Sequence, residues 1–214
     1  MTEVNLPARA TTLVGRNIRL EPLSIESLRE LAPKLRVPEV FAGGHAGGPA
    51  AMPDSDEGYV EFFAAYAPWN QGGRSYVVRL ADGTVVGTTS LYDFDATKAS
   101  VAIGYTAYAP EVWGTAVNPD VKRTLLAALF DLGFARVIFH VDAENERSRG
   151  AVAKLGAQLD GVLRRDRQLA DGAWHGTAVY SILATEWPGV RAALDARLNT
   201  FNGSKARETD GVAG

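Results

Sequence analysis

Apolar residues fall into five helical stripes separated by alternating stretches. Ile25, Leu28, Leu31 and Leu35 recur at helical spacing behind Ser24, an N-cap candidate, with Ser27 where a capping box takes Glu. Tyr59, Phe62, Phe63 and Tyr66 share one side of a second helix over 56–66, with Asp54 or Ser55 as its cap. Val121, Leu125, Leu129 and Leu132 give a third helix its apolar face; Asn118 reads as its N-cap and Pro119 as its first helical residue. A fourth, capped by Asn145 and stopped by Gly156, turns Ser148, Ala151, Val152 and Leu155 inward, and residues 186–198 close the chain as an amphipathic helix. Between the helices, strands are expected over 13–20, 75–80, 85–92, 101–106 and 136–141. Ala81-Asp82-Gly83 turns one hairpin, and residues 170–173 turn a last long one over 158–169 and 174–183.

Residues 41–56, FAGGHAGGPAAMPDSD, have no stripe and read as a long loop, a binding element or lid, with His45 solvated in it. Residues 1–11 read as a loose arm, and the small polar stretch 202–214 as disordered. The 214 residues therefore suit one domain over 12–201. A net charge of −3 gives nucleic-acid binding no support, and no run of ~18 apolar residues spans a membrane. The first residues lack the apolar core of a signal peptide, so a cytoplasmic protein is expected. With no cysteine, disulfides, thiolate metal sites and an acyl-cysteine intermediate are excluded.

The most informative stretch is 100–132. A short apolar strand leads into a turn with Pro110, Trp113 and Gly114, then into the third helix. Strand, tight turn and helix N-terminus together suit an anion, because the first-turn N–H groups point outward and the helix dipole favours negative charge. Lys122, one turn in, adds a formal positive charge. An ordinary strand-to-helix connection has the same pattern. More specific is the succession IGYT, WGTAVNPDVK, NERSRGAVAKLGA, DGVLRRDRQLADGAW and YSILATEWP, which resembles the GNAT superfamily of acyl-CoA-dependent N-acetyltransferases over roughly 13–198, and within it the RimJ/RimL-type branch. That resemblance implies a single α/β (α+β) domain with a mixed, mainly antiparallel twisted sheet, flanking helices and splayed central strands. It departs from the family at Glu111, where the phosphate loop usually starts with Arg or Gln. Phosphate contacts are then expected from the turn Trp113, Gly114, Thr115, Ala116, Val117 and Asn118, and from Lys122.

By the same resemblance Ile103, Gly104, Tyr105 and Thr106 lie along the pantetheine arm of acetyl-CoA, with Gly104 as the point where the strand bulges away from its neighbour. A backbone N–H near 103–105 would stabilise the thioester oxygen as it gains charge. Asn145 and Ser148 lie three apart at a helix start and so share a face. Matching residues in the family contact pantetheine and lie near the sulfur, which makes Ser148 the candidate thiolate acid; capping and packing explain the same two residues without a ligand. Related chains often carry Glu where Ala102 stands, so the general base is sought at Asp93, then Glu111, directly or through water. Arg147 and Arg149 are expected in surface salt bridges, and Arg164, Arg165 and Asp166 at the acceptor side or paired with one another. His140, in an apolar strand, and His175, in the last hairpin, receive no role. The expected activity moves an acetyl group from acetyl-CoA to a primary amine, on a protein N-terminus or a small molecule, by direct attack in a ternary complex without metal. The alternatives are a silent acyl-CoA-binding module or a transferase of longer acyl groups. A monomer or homodimer fits equally; a nucleotide-phosphate binder is disfavoured, since no loop ends in Gly-Lys-Ser or Gly-Lys-Thr.

Overall fold

The chain enters its sheet through two short strands, β1 (Leu13–Val14) and β2 (Ile18–Pro22), in place of the single strand expected over 13–20. The turn between them is drawn onto the middle of the molecule. Asp120, fully buried, accepts from the Arg16 N–H at 3.0 Å and the Asn17 N–H at 2.6 Å. The computed structural model describes residues 4–210, those from 202 onward by their backbone alone. Residues 4–11, expected to be loose, lie against the body: Val4 is buried in the core, and the Pro7 carbonyl accepts from Arg74 Nε at 2.7 Å.

Helix α1 (Ile25–Leu35) opens with the expected box, Ser24 and Ser27 each bonding the other's backbone N–H. The stretch read as a long loop is partly built: α2 (Pro38–Ala42) and two 3₁₀ turns, His45–Gly47 and Pro49–Ala51, lead to α3 (Asp56–Tyr66), capped by Ser55. Three antiparallel strands follow, β3 (Arg74–Leu80), β4 (Val85–Asp95) and β5 (Ser100–Tyr108), then α4 (Val117–Asp131). Next come β6 (Arg136–Asp142), α5 (Glu146–Ala153), β7 (Gln158–Gln168), β8 (Trp174–Leu183) and α6 (Trp187–Asp210). The last helix thus runs beyond 198, and its backbone takes in 202–210 of the expected tail; residues 1–3 and 211–214 lie outside the described residues.

Strand order is β1-β2-β3-β4-β5-β6-β8-β7, with β6 parallel to β5 and the other pairs antiparallel. The sheet is covered on both faces. Along β3, Tyr76 and Val78 face a core shared with α4 and α6, whereas Val77 faces one shared with α1 and α3, as alternation requires.

Helix α4 starts earlier than its sequence implies. Ala116 stands at the cap without a side-chain bond, so Asn118 is no N-cap and Pro119 is not the first helical residue. Asn118 Oδ1 instead accepts from the Tyr108 hydroxyl at 3.1 Å. A cap contributes ~1 kcal/mol, whereas each of the fully buried Leu125, Leu126 and Leu129 contributes ~2 kcal/mol, so packing sets the helix's position. Leu132, expected inside, is 44% exposed at the C-cap, and the inner face holds Leu126 and Lys122 as well.

Candidate active site

Strands β5 and β6 are paired only from Ser100↔Arg136 to Ala102↔Ile138. Beyond that point they part, and a cavity of ≈ 810 Å³ opens along the splay. The cause is a bulge in β5. Thr88 pairs with Ala107 and Ser90 with Gly104, which leaves Tyr105 and Thr106 opposite Thr89 alone. The distorted residue is Tyr105, at φ +50°, one position beyond the Gly104 expected. Gly104 serves a different need: a Cβ there would lie 2.7 Å from Tyr92 Cε1, so glycine lets the Tyr92 ring lie against β5. Ile103 is buried among apolar side chains and borders the cavity.

One end of the cavity meets the turn before α4. Gly114, at φ +75°, swings the chain into the helix. The Trp113 N–H is tied to Pro110 O at 3.1 Å, that of Thr115 to Val112 O at 3.4 Å and that of Val117 to Thr115 Oγ1 at 3.3 Å. The N–H groups of Gly114, Ala116 and Asn118 have no acceptor among the described residues, so the anion cradle is narrower than the six-residue turn suggested. Val117 turns its side chain into the core. Trp113 donates its indole N–H to Tyr108 O at 2.8 Å and lays its ring 3.9 Å from the Arg147 guanidinium carbon.

Lys122 does not reach this cradle. It is 5% exposed, its Nζ donates to Thr106 Oγ1 at 2.9 Å, and it lies 6.0 Å from the centre of the Phe139 ring. Burial pushes its amine down to about 7, so it is a poor fixed charge for a phosphate. Thr106 is likewise spent inside, its hydroxyl also 2.8 Å from that of Thr89. Besides Lys122 itself and Arg167, which Asp142 holds, the cations that line the cavity are Arg147, Lys154 and Arg197. Sequence reading missed them as ligands because they come from α5, its C-cap and α6, which only the fold brings together. Arg147 and Arg149, expected in salt bridges, form none among the described residues; Arg149 bonds the Tyr180 hydroxyl at 3.2 Å and Ala143 O at 3.1 Å.

The middle of the cavity is bordered by α5. Asn145 caps it through the Ser148 N–H at 2.9 Å, and its amide also donates to Gly43 O at 2.8 Å. The glycine segment is thereby pinned beside the cleft. His45, expected in solvent, is buried against Phe41, Tyr59 and Phe63, which pushes its imidazole down to about 4. Ser148 lines the cavity, and its hydroxyl has no partner among the described residues.

At the other end stand Tyr66, Tyr105, His140, Asp142 and Arg167. Asp142 accepts from Arg167 Nη2 at 2.6 Å and from His175 Nδ1 at 2.9 Å. Burial raises this carboxyl, but the Glu144 N–H, His175 and Arg167 outweigh it and hold it below the usual range. Asp93 does not line the cavity; it lies behind His140, its carboxylate 3.9 Å from Nδ1 and its side chain 65% exposed. Glu111 points elsewhere, 3.7 Å from Lys34, and is no candidate base. Arg165 packs over Trp174 at 5.0 Å; Arg164, Arg165 and Asp166 do not line the cavity, and among the described residues they form no ion pair with one another. Among the described residues no cluster of His, Cys, Asp or Glu is arranged to hold a metal.

Residues 17–158 match the family model described as "Acetyltransferase (GNAT) domain". YdaF of Bacillus subtilis (strain 168), provisionally named a ribosomal N-acetyltransferase, is 32% identical over 111 residues, 51% of this chain and 60% of its own length. The match thus spans less than two thirds of that relative. A provisionally named acetyltransferase of T. thermophilus has a solved structure with a TM-score of 0.77 and 34% identity, covering 90% of this chain and 100% of that one. Mycobacterium smegmatis RimJ, solved in complex with CoA-disulfide, shares the fold at a TM-score of 0.73 and 20% identity, covering 88% and 95%. With its splayed parallel pair, its bulged strand and its N–H-rich turn at the mouth of the cleft, the chain belongs to the GNAT acetyltransferase family.

Proposed function

We propose that this protein transfers an acetyl group from acetyl-CoA to a primary amine, on a protein N-terminus or a small molecule. The observation that carries the reading is one continuous cavity joining the unpartnered N–H groups of Gly114 and Asn118 to the parted edges of β5 and β6. The first feature suits a pyrophosphate, with Arg147, Lys154 and Arg197 supplying charge; the second exposes strand backbone to the amides of a pantetheine arm. The backbone around Ile103–Tyr105, freed by the bulge, is where an N–H can stabilise the thioester oxygen. Ser148, at the N-terminus of α5, is positioned to protonate the departing thiolate.

Acetyl-CoA is a substrate in this scheme, and the chain's residues bind, orient and move protons. No cysteine is available to carry the acetyl group, so the amine attacks the thioester directly. The new N–C bond forms as the C–S bond breaks, the amine gives up a proton and the thiolate takes one. The test combines calorimetry with acetyl-CoA and CoA release over a panel of amines, N-terminal peptides included. Micromolar binding with CoA release from at least one amine is expected, and initial-rate plots at several amine concentrations should intersect. Binding without release from any amine would make this an acyl-CoA-binding module instead.

A further inference from the structure

The face of β5 that turns to the acceptor end carries no carboxylate, because the position is Ala102. What fills that space comes from both neighbouring strands. Tyr92, paired with Ala102 in register, leans over Gly104, where a side chain would strike its ring. From β6, His140 stands two residues beyond Ile138, the last residue paired with β5, and so just inside the splay. Its Nδ1 lies 3.0 Å from the Tyr92 hydroxyl, with Asp93 Oδ2 at 3.9 Å behind it. Its Nε2 has no partner among the described residues, and the ring lines the cavity.

We propose that His140 is the general base of the transfer, taking the amine's proton on Nε2, with Asp93 and Tyr92 as positioning residues that hold the ring's other proton on Nδ1. The inference rests on the acetyltransfer reading above. In the step, the amine nitrogen bonds to the thioester carbon and passes its proton to Nε2. The C–S bond breaks, the thiolate takes a proton from solvent, directly or through Ser148, which recovers its own from solvent, and the imidazolium returns its proton to solvent. Tyr92 stays a neutral hydroxyl, since burial first, then Asp93 and the neighbouring tyrosines, push its ionisation up. The imidazolium formed in the step then has the Tyr92 oxygen at Nδ1 and the Asp93 carboxylate behind it. The other ionisable groups at this end are Tyr105 from β5, Tyr66 from α3, Arg167 from β7, and Asp142 further along β6. Arg167 is already held by Asp142, and desolvation pushes the ionisation of Tyr66 and Tyr105 up, so both stay neutral.

The test has two arms. In the free protein, ¹⁵N-detected NMR of the imidazoles should find neutral His140 protonated on Nδ1, with Asp93→Asn shifting the ring toward the other tautomer. A neutral ring protonated on Nε2 would overturn the proposal without touching the activity. In the second arm, His140→Gln should lower kcat at least ~100-fold, a usual loss for a missing general base, and erase the rising limb of its pH profile. Acetyl-CoA affinity should stay within ~3-fold, and the deficit should shrink for a weakly basic arylamine, which is already neutral at pH 7. Full kcat with an unchanged pH profile in His140→Gln would sink the base and leave acetyltransfer standing. Wild-type protein inactive on every amine would sink the reading beneath it.

Discussion

Replacing Lys122 with methionine should make the protein more stable near neutral pH, by an amount that falls as the pH rises. The buried amine has one polar partner among the described residues, the Thr106 hydroxyl, and no carboxylate. Burial lowers it from 10.5 to about 7. Between these values the unfolded chain holds a proton that the folded chain has shed, so wild-type stability rises with pH across the window. Below about 7 both states are charged, and the folded state bears the whole cost of a buried ammonium. Each unit of separation corresponds to ~1.4 kcal/mol, so the window spans at most ~5 kcal/mol. Methionine has similar length and no charge, and it forfeits only the bond to Thr106, worth ~1 kcal/mol. Urea unfolding of both proteins at pH 6.5, 7.5, 8.5 and 9.5 cancels every other titrating group in the difference. The advantage of Lys122→Met should shrink by ~1 kcal/mol per unit between pH 7.5 and 9.5. A difference flat across that range would mean that the lysine keeps its charge inside the protein, and the account of its burial would be wrong.

Gly114→Val forces a β-branched residue to φ +75° and should disturb the three unpartnered N–H groups, weakening CoA at least ~10-fold, about 1.4 kcal/mol, by calorimetry. Unchanged affinity in a folded variant would remove this turn from the site. Asn145→Ala loses the α5 cap and the bond to Gly43 together, so unfolding should show a loss of ~1–2 kcal/mol, with faster backbone exchange at 43–48. Exchange confined to α5 would mean that the glycine segment is held by His45 alone. Ser148→Ala should lower kcat with little change in acetyl-CoA KM, and a full kcat would strip that serine of its acid role while leaving direct attack intact.

Local rules and short motifs carried much of this protein. The Ser24–Ser27 box, the Ser55 cap, the hairpin turn at 81–83 and the strand ends within a few residues follow from side-chain chemistry acting over one or two turns of chain. The splayed sheet and the 113–118 turn were legible through a family resemblance, because they depend on a backbone path that the succession of motifs preserves. What the sequence left open depends on distance across the fold. Lys122 looked like a phosphate ligand because it follows the loop by one turn, yet α4 is rotated by the packing of Leu125, Leu126 and Leu129, which carries the amine under β5. His45 looked solvated between glycines, but three aromatic rings from α2 and α3 close over it. His140 lay hidden in an apolar run, since nothing local reveals that its strand loses its neighbour after Ile138. Sequence determines which residues favour a helix, a turn or a strand, because those preferences act through neighbours in the chain. Only tertiary structure decides which side chains share the cleft, because that depends on how far β5 and β6 part and which helix ends meet there.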